Sequence, residues 1–280
     1  MNPLLAAAIE ALDLTDTPEP LTEHHTLAWR VGDWKIKAAT EAVPVANLLH
    51  EVRAVDLLHA QGLHPATGAR GRVGDGVWTA LPWRAGTTLW MWCLPTREGR
   101  ATPDTGPRLR AITHHAFDAL HALHAAGWHH GDIQPTNILI ADDETNIAFI
   151  DHDLAQHADL PPTVPYRGGM HQPTAPEIAR LILDTPPETH IELTDAAERY
   201  SLAAAIRWAW TGASPAGTRD IGTDVTVTDL YEDIATGRRR PTWADTRPWP
   251  DAELETLLDA YMSLDPTTRA ESTPTPRVRA

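Results

Sequence analysis

Three polar residues in one short stretch carry the most chemical information. Asp132 and Asn137 stand five residues apart in His129-His130-Gly131-Asp132-Ile133-Gln134-Pro135-Thr136-Asn137, and Asp151 follows Asn137 fourteen residues later, after the apolar run Ala148-Phe149-Ile150. A carboxylate can take a proton from a hydroxyl, and carboxylate and amide oxygens can ligate a hard divalent cation such as Mg²⁺. Transfer of a phosphoryl group to a hydroxyl asks a protein mainly for positioning and charge neutralisation, so this set suits that reaction. The Pro-containing loop can fold back so that Asp132 and Asn137 face one cleft. The apolar run then delivers Asp151 beside them.

The elements that must hold these residues can be read from patterning. Two β-like runs, 26–31 and 34–38, flank Gly32-Asp33, a turn dipeptide that suits a hairpin. Leu48, Val52, Val55 and Leu58 recur at three- and four-residue steps, which predicts a helix over 45–59. Gly74-Asp75-Gly76 predicts a second hairpin between the runs 72–73 and 77–81, and Pro82 blocks a further ladder bond. Leu109, Ile112, Ala116, Leu120 and Leu123 form the stripe of a long helix that Pro107 starts and Gly127 ends. Residues 138–140 and 147–150 bracket the polar turn 142–146 as a third hairpin. The stretch 195–280 reads as helical, with Leu254, Leu257, Leu258 and Tyr261 periodic, until a Pro-, Thr- and Arg-rich tail over 271–280 that reads as disordered.

The pattern His-x-Asp-x-x-x-x-Asn followed by Asp151 resembles the catalytic loop and metal-binding motif of the protein-kinase superfamily. Further pieces arrive in that family's order. Trp34-Lys35-Ile36-Lys37 resembles the strand whose lysine holds the α- and β-phosphates of ATP, and Glu51 stands where the lysine's helix partner belongs. Lys37 fits the frame better, because Trp34 and Ile36 then take the apolar positions; Lys35 stays open as the alternative. Pro82-Trp83-Arg84-Ala85-Gly86 resembles the interlobe hinge whose backbone reads adenine. Thr174-Ala175-Pro176-Glu177 resembles the Ala-Pro-Glu signature, and Leu264-Asp265-Pro266-Thr267-Thr268-Arg269 the late motif whose arginine pairs with that glutamate. A buried Glu177–Arg269 ion pair is therefore expected. Glu198-Arg199-Tyr200-Ser201-Leu202 resembles the start of the large lobe's central helix, with Glu198 where Asp is usual.

The resemblance spans roughly residues 20 to 270. It implies an α+β, bilobal protein-kinase-like fold, with a small antiparallel-sheet N-lobe over 1–82 and a larger, mainly helical C-lobe over 83–270. It implies ATP and Mg²⁺, with Asp132 as base, Lys37 and Glu51 as its catalytic companions, and Asn137 and Asp151 as metal ligands. Lys37, Lys35, Trp83, Asn137 and Asp151 would contact the nucleotide. The implied activity is transfer of the γ-phosphoryl group to a hydroxyl. The Ala-Pro-Glu element and its arginine favour Ser or Thr of a peptide or protein, and bacterial kinase-like enzymes acting on natural-product precursor peptides form one such subgroup by analogy.

Departures from the family pattern keep two alternatives open. His-Gly-Asp is the form found in aminoglycoside and choline kinases, and Gln134 replaces the lysine common in Ser/Thr kinases, so a small-molecule acceptor is the first alternative. No Gly-x-Gly-x-x-Gly lies between Pro18 and Trp29, where Glu23-His24-His25-Thr26 would have to cover the phosphates, and Asp153 replaces the usual glycine after Asp151. A nucleotide-binding pseudokinase is the second alternative. Gly131 replaces the arginine that reads an activation-loop phosphate, so no such control is expected.

Composition narrows the partners. A formal net charge of −15 over 280 residues repels nucleic acid from most of the surface. No stretch approaches the roughly 18 apolar residues of a membrane span, and the N-terminus lacks a basic n-region. Cys93 alone makes no intramolecular disulfide and fits a cytoplasmic location. His121 and His124 share a helical face, but sequence places no third metal ligand, so ordinary surface or partly buried histidines are the commoner reading. Trp78, Trp83, Trp90 and Trp92 read first as core or interlobe packing, and Arg238-Arg239-Arg240 as a solvated loop before a dock for an acidic peptide leader.

Overall fold

The computed structural model describes residues 1–21, 26–217 and 225–271, and the chain is α+β. It divides into two compact units. The first takes Met1–Ala85 and then Asp151–Pro165; the second takes Gly86–Ile150 and the chain from Tyr166 onward. Residues 23–25 of the segment expected over the phosphates and 272–280 of the expected tail lie outside the described residues.

The first unit runs through α1 (Pro3–Ala11), β1 (Glu19–Leu21), β2 (Leu27–Val31), β3 (Trp34–Ala39), α2 (Ala42–Ala60), β4 (Ala69–Val73) and β5 (Gly76–Pro82). Its strands form one antiparallel sheet in the order β1-β2-β3-β5-β4. Both expected hairpins are present, closed by the pairs Val31↔Trp34 and Val73↔Gly76. β3 lies between β2 and β5, so its ladder is satisfied on both edges. Lys35 and Lys37, two residues apart on it, leave the sheet on the same face.

Helix α1 was not signalled by the polar pattern. The Asn2 side chain accepts the Leu4 N–H at 2.8 Å and so caps it, while Pro3 occupies the first turn. Leu4, Leu5 and Ala8 then bury against Val31, Ile36, Ala38, Trp78 and Ala80 of the sheet. On α2 the predicted stripe Leu48, Val52, Val55 and Leu58 is buried, each side chain worth ~1.5–3 kcal/mol of burial. That burial fixes the helix rotation and holds Glu51, within the same stretch, fully buried.

The second unit runs through β6 (Thr87–Thr88), α3 (Leu89–Trp92), α4 (Leu94–Arg97), α5 (Thr105–Ala125), β7 (Ile138–Ile140), β8 (Ile147–Phe149), α6 (Pro176–Asp184), α7 (Asp195–Thr211), α8 (Val227–Thr236), α9 (Trp243–Thr246), α10 (Ala252–Tyr261) and α11 (Pro266–Glu271). The hairpin of β7 and β8 is joined by β6 in a three-stranded sheet. The α5 stripe is buried as expected, and Phe117 stacks on Tyr261 of α10 with ring centroids 4.2 Å apart. α7 is the central helix of this unit. Its run Leu202 to Ile206 is inaccessible to solvent, and α5, α10 and α11 pack on it. Cys93, at the junction of α3 and α4, is buried, and burial pushes its thiol up to about 12. Among the described residues no helix is long and apolar enough to cross a membrane.

Candidate functional site

In the first unit, four of the residues singled out from sequence meet. The Lys37 ammonium, carried by β3, lies 3.2 Å from the Glu51 carboxylate of α2 and 2.7 Å from Asp151 Oδ1. Lys35 donates to the same Asp151 oxygen at 3.0 Å. Two ammonium groups and two carboxylates thus balance in formal charge, with Lys37 and Glu51 almost wholly removed from water. Both lysines reach Asp151, and Lys37 also holds Glu51.

The electrostatics of the pair of carboxylates differ. Burial works to raise the Asp151 carboxyl, but the ammonium groups of Lys37 and Lys35 outweigh it and hold it well below the usual carboxylate range. For Glu51 burial wins: its carboxyl is pushed up, with Lys37 opposing and Asp151 adding to the rise. Asp151 also has φ +62°, one of three non-glycine residues with positive φ among the described residues. Aspartate tolerates that left-handed conformation better than most side chains, yet it still carries strain, and strained backbone concentrates at functional sites.

Besides its bonds to β3, the segment that begins at Asp151 is tied to α2. His50 Nε2 bonds the Ala155 carbonyl at 2.8 Å, and burial lowers the His50 pKa, which favours the neutral ring. Trp83, expected beside a nucleotide, is half-buried under the Arg30 guanidinium, 4.6 Å from its ring centroid. Its backbone N–H is given to the Asp33 carbonyl at 2.7 Å.

In the second unit, Asp132 and Asn137 meet each other. The Asn137 amide nitrogen donates to Asp132 Oδ2 at 2.9 Å and to the Asp132 carbonyl at 3.0 Å, so the two residues expected to share a cleft share a loop closure. That leaves the Asn137 amide oxygen as its only remaining polar end for a ligand. Asp132 Oδ2 also accepts from Gln134 Nε2 at 2.7 Å, and Oδ1 accepts the Met170 N–H at 2.7 Å. Three N–H donors therefore fix the orientation of this carboxylate. Gly169 permits the approach of the Met170 segment, since a Cβ there would overlap Asp132 Oδ1. A small cavity of about 20 Å³ lies beside Asp132, with Gly169, Met170 and Thr174 in its wall.

The loop is braced from behind. His130 Nδ1 accepts the Asp132 N–H at 3.2 Å, so its Nε2 carries the proton and donates to the Ile150 carbonyl at 2.9 Å. Gly131 has φ +83°, a conformation that the arginine usual in the resembled motif would adopt only under strain. Its N–H donates to Glu198 Oε1 of α7 at 2.8 Å, and its carbonyl accepts the Tyr166 hydroxyl at 2.8 Å. Burial, with Glu198 and Asp132 nearby, pushes the Tyr166 pKa well above its ordinary value, so it stays a donor. The longer reach of Glu198 compared with the usual Asp spans the distance from α7 to this glycine. Sequence marked Glu198 as a departure without showing what it holds.

The expected ion pair of Glu177 and Arg269 is present at 2.6 Å, with the arginine wholly buried and its other amino group on the Ala196 carbonyl at 2.9 Å. It ties α6 and α11 to the start of α7. The structure thus gathers Lys35, Lys37, Glu51 and Asp151 in one unit, and Asp132 and Asn137 in the other. A scan of the chain against family models finds no match, and a search of curated proteins finds none either.

Proposed function

We propose that the chain is an ATP-dependent phosphotransferase of bilobal, protein-kinase-like build, moving the γ-phosphoryl group to a hydroxyl, with Ser or Thr of a peptide or protein as acceptor. The first unit is read as the N-lobe with the metal-binding segment, the second as the C-lobe with the catalytic loop. The observation that carries the reading is the buried Lys37 ammonium held between Glu51 and Asp151. A cation set between one wholly buried carboxylate and one at 2.7 Å is positioned as a phosphate chain needs. In the free protein Asp151 takes the place that the nucleotide's oxygens would otherwise fill.

The reading takes Mg²⁺ as cofactor on the chemistry of two donors: the Asp151 carboxylate and the Asn137 amide oxygen are each hard oxygen ligands of the kind that ion takes. Bound Mg²⁺ supplies charge neutralisation to the phosphates. Lys37 orients the α- and β-phosphates, with Lys35 close enough to Asp151 to share in that work. Asp132, aimed by Gln134, Asn137 and the Met170 N–H, accepts the proton of the acceptor hydroxyl. The Glu177–Arg269 pair supports a peptide or protein acceptor, because it anchors α6 next to the 166–174 segment that reaches Asp132.

The test incubates the chain with γ-labelled ATP, Mg²⁺ and two panels, one of Ser/Thr peptides and one of hydroxyl-rich metabolites, read by mass. Label is expected on peptides. Asp132→Asn should lower transfer by ~10²–10⁴-fold while nucleotide binding persists, and Asp151→Asn should weaken the Mg²⁺ dependence of binding. Label on metabolites alone would move the acceptor to a small molecule. Nucleotide binding without turnover in either panel, unaffected by Asp132→Asn, would leave a pseudokinase and end the enzyme reading.

A further inference from the structure

Behind the catalytic-loop sequence, at the start of α7, a second cluster of metal-ligating side chains uses none of the residues assigned above to nucleotide or acceptor. His129 Nε2 lies 3.1 Å from Asp195 Oδ1, and His124 Nδ1 lies 3.7 Å from the same oxygen. All three donor atoms fall within 4.8 Å of one another. Ligands 2.0–2.1 Å from a tetrahedral zinc ion stand ~3.3–3.4 Å apart; the two separations to Asp195 Oδ1 bracket that value, and the two imidazole nitrogens lie within 4.8 Å of each other, so a small rotation of the more open His129 ring would close the three on one ion.

The orientation of His124 makes this more than proximity. Its side chain is 2% exposed, and its Nδ1 is buried with no hydrogen-bond partner. The opposite ring nitrogen, Nε2, donates to Glu198 Oε2 at 2.9 Å. A histidine whose far nitrogen is held by a carboxylate, with the near nitrogen bare and aimed at a second imidazole and a carboxylate oxygen, is the arrangement that metal-binding histidines use to fix ring orientation. A buried, unpartnered ring nitrogen otherwise costs free energy. Asp195 and His129 are more open, 47% and 21% exposed, which leaves an approach for an ion and for a solvent fourth ligand. Arg199 occupies Asp195 Oδ2 at 3.4 Å, and so leaves Oδ1 as the ligating oxygen.

We propose that His124, His129 and Asp195 form a site for a first-row transition metal, with zinc the ion best matched to two imidazoles, one carboxylate and an open fourth position. Imidazole nitrogens select against Mg²⁺ and Ca²⁺, so this site is chemically separate from any nucleotide-bound magnesium. Its position gives it a structural consequence. Glu198, which orients His124, also accepts the Gly131 N–H, and His129 is two residues from Gly131. An ion here would brace the backbone that leads into Asp132, acting as a positioning element.

The site is tested on the full chain, stripped with a chelator and titrated with zinc against a chromophoric competitor. One tight equivalent is expected. Asp195→Asn and His129→Gln, both at partly exposed positions that leave the buried His124 in place, should each weaken it by more than the ~10–100-fold that losing an outer partner costs. His121→Gln, exposed on the same helix, should leave it unchanged. Cobalt(II) should give intense visible bands of a tetrahedral site in the wild type and lose them in Asp195→Asn, with far-ultraviolet circular dichroism confirming that each variant is folded. No tight equivalent, or one indifferent to both substitutions, would overturn the site and leave a hydrogen-bonded histidine cluster.

Discussion

Asp151 shows how much one side chain carries. It is the common acceptor of Lys35 and Lys37, and it sits at positive φ beside a second, buried carboxylate. Replacing it by asparagine takes away the carboxylate that both ammonium groups share, and losing one member of a largely buried ion set costs ~3 kcal/mol. The pH dependence has a definite sign. Because the folded Asp151 carboxyl lies below its ordinary value near ~3.9, its stabilisation is present above that value and is lost as pH falls towards the folded one. Glu51 contributes with the opposite sign, since its raised pKa favours the fold at low pH and loses that contribution as pH rises. Urea unfolding of the wild type and Asp151→Asn should therefore differ by ~3 kcal/mol at neutral pH, and the gap should narrow progressively as pH falls below about 4. A gap that stays constant down to acid pH would refute the assignment of the stabilising charge to Asp151. The choice between the two lysines was not legible in sequence for a physical reason. Residues two apart on a strand share a face, so a four-residue frame cannot separate them; only the placement of Glu51 gives Lys37 its extra partner.

At the scale of elements, helices and hairpins with a periodic stripe or a turn dipeptide were readable, as α2, α5 and the pairs β2/β3, β4/β5 and β7/β8 show. α1 was not, because its run Leu4-Leu5-Ala6-Ala7-Ala8 is apolar almost all round and carries no polar face to set a period. β1 and β6 are two or three residues long, too short for any alternation to register. The Glu177–Arg269 pair was legible only through its two motifs, since the residues are 92 apart and no local pattern could pair them. The metal-like trio fell on the other side of that line: His124 and His129 straddle the end of α5, and Asp195 comes from α7, so helical spacing could not assemble them. The Glu177–Arg269 pair gives a prediction at this scale. Arg269→Ala leaves Glu177 and the Ala196 carbonyl without their donor and empties a wholly buried volume, so it should cost ~3–5 kcal/mol in chemical unfolding. Glu177→Gln, which keeps the shape and one hydrogen-bond acceptor, should cost less. Equal, small losses in both would show the pair to be incidental.

The whole molecule poses a question of division, because the first unit takes up the chain twice and no single cut releases it. Residues 1–85 contain the sheet, α1, α2 and the apolar core of Leu4, Ile36 and Trp78. They lack the partners that 151–165 brings: Asp151 for Lys35 and Lys37, and the Ala155 carbonyl for His50. A fragment of 1–85 therefore keeps its hydrophobic driving force but takes the Asp151 carboxylate from the buried Lys37 ammonium and the Ala155 carbonyl from the buried His50 imidazole. Each such loss costs ~1–3 kcal/mol, and ~1 kcal/mol shifts the melting temperature of a domain this size by about 4–8 °C. Joining 151–165 to the fragment through a flexible Gly/Ser linker should then raise its melting temperature by at least about 8 °C. Asp151→Asn in the tethered form should remove most of that gain, because the charge contacts, more than the few apolar side chains of the segment, hold it. Circular dichroism melts of the three species decide the matter: a fragment of 1–85 that melts as high as the tethered form would mean that the second pass of the chain contributes nothing to the stability of the first unit, and that the lysine cluster is held by Glu51 without Asp151.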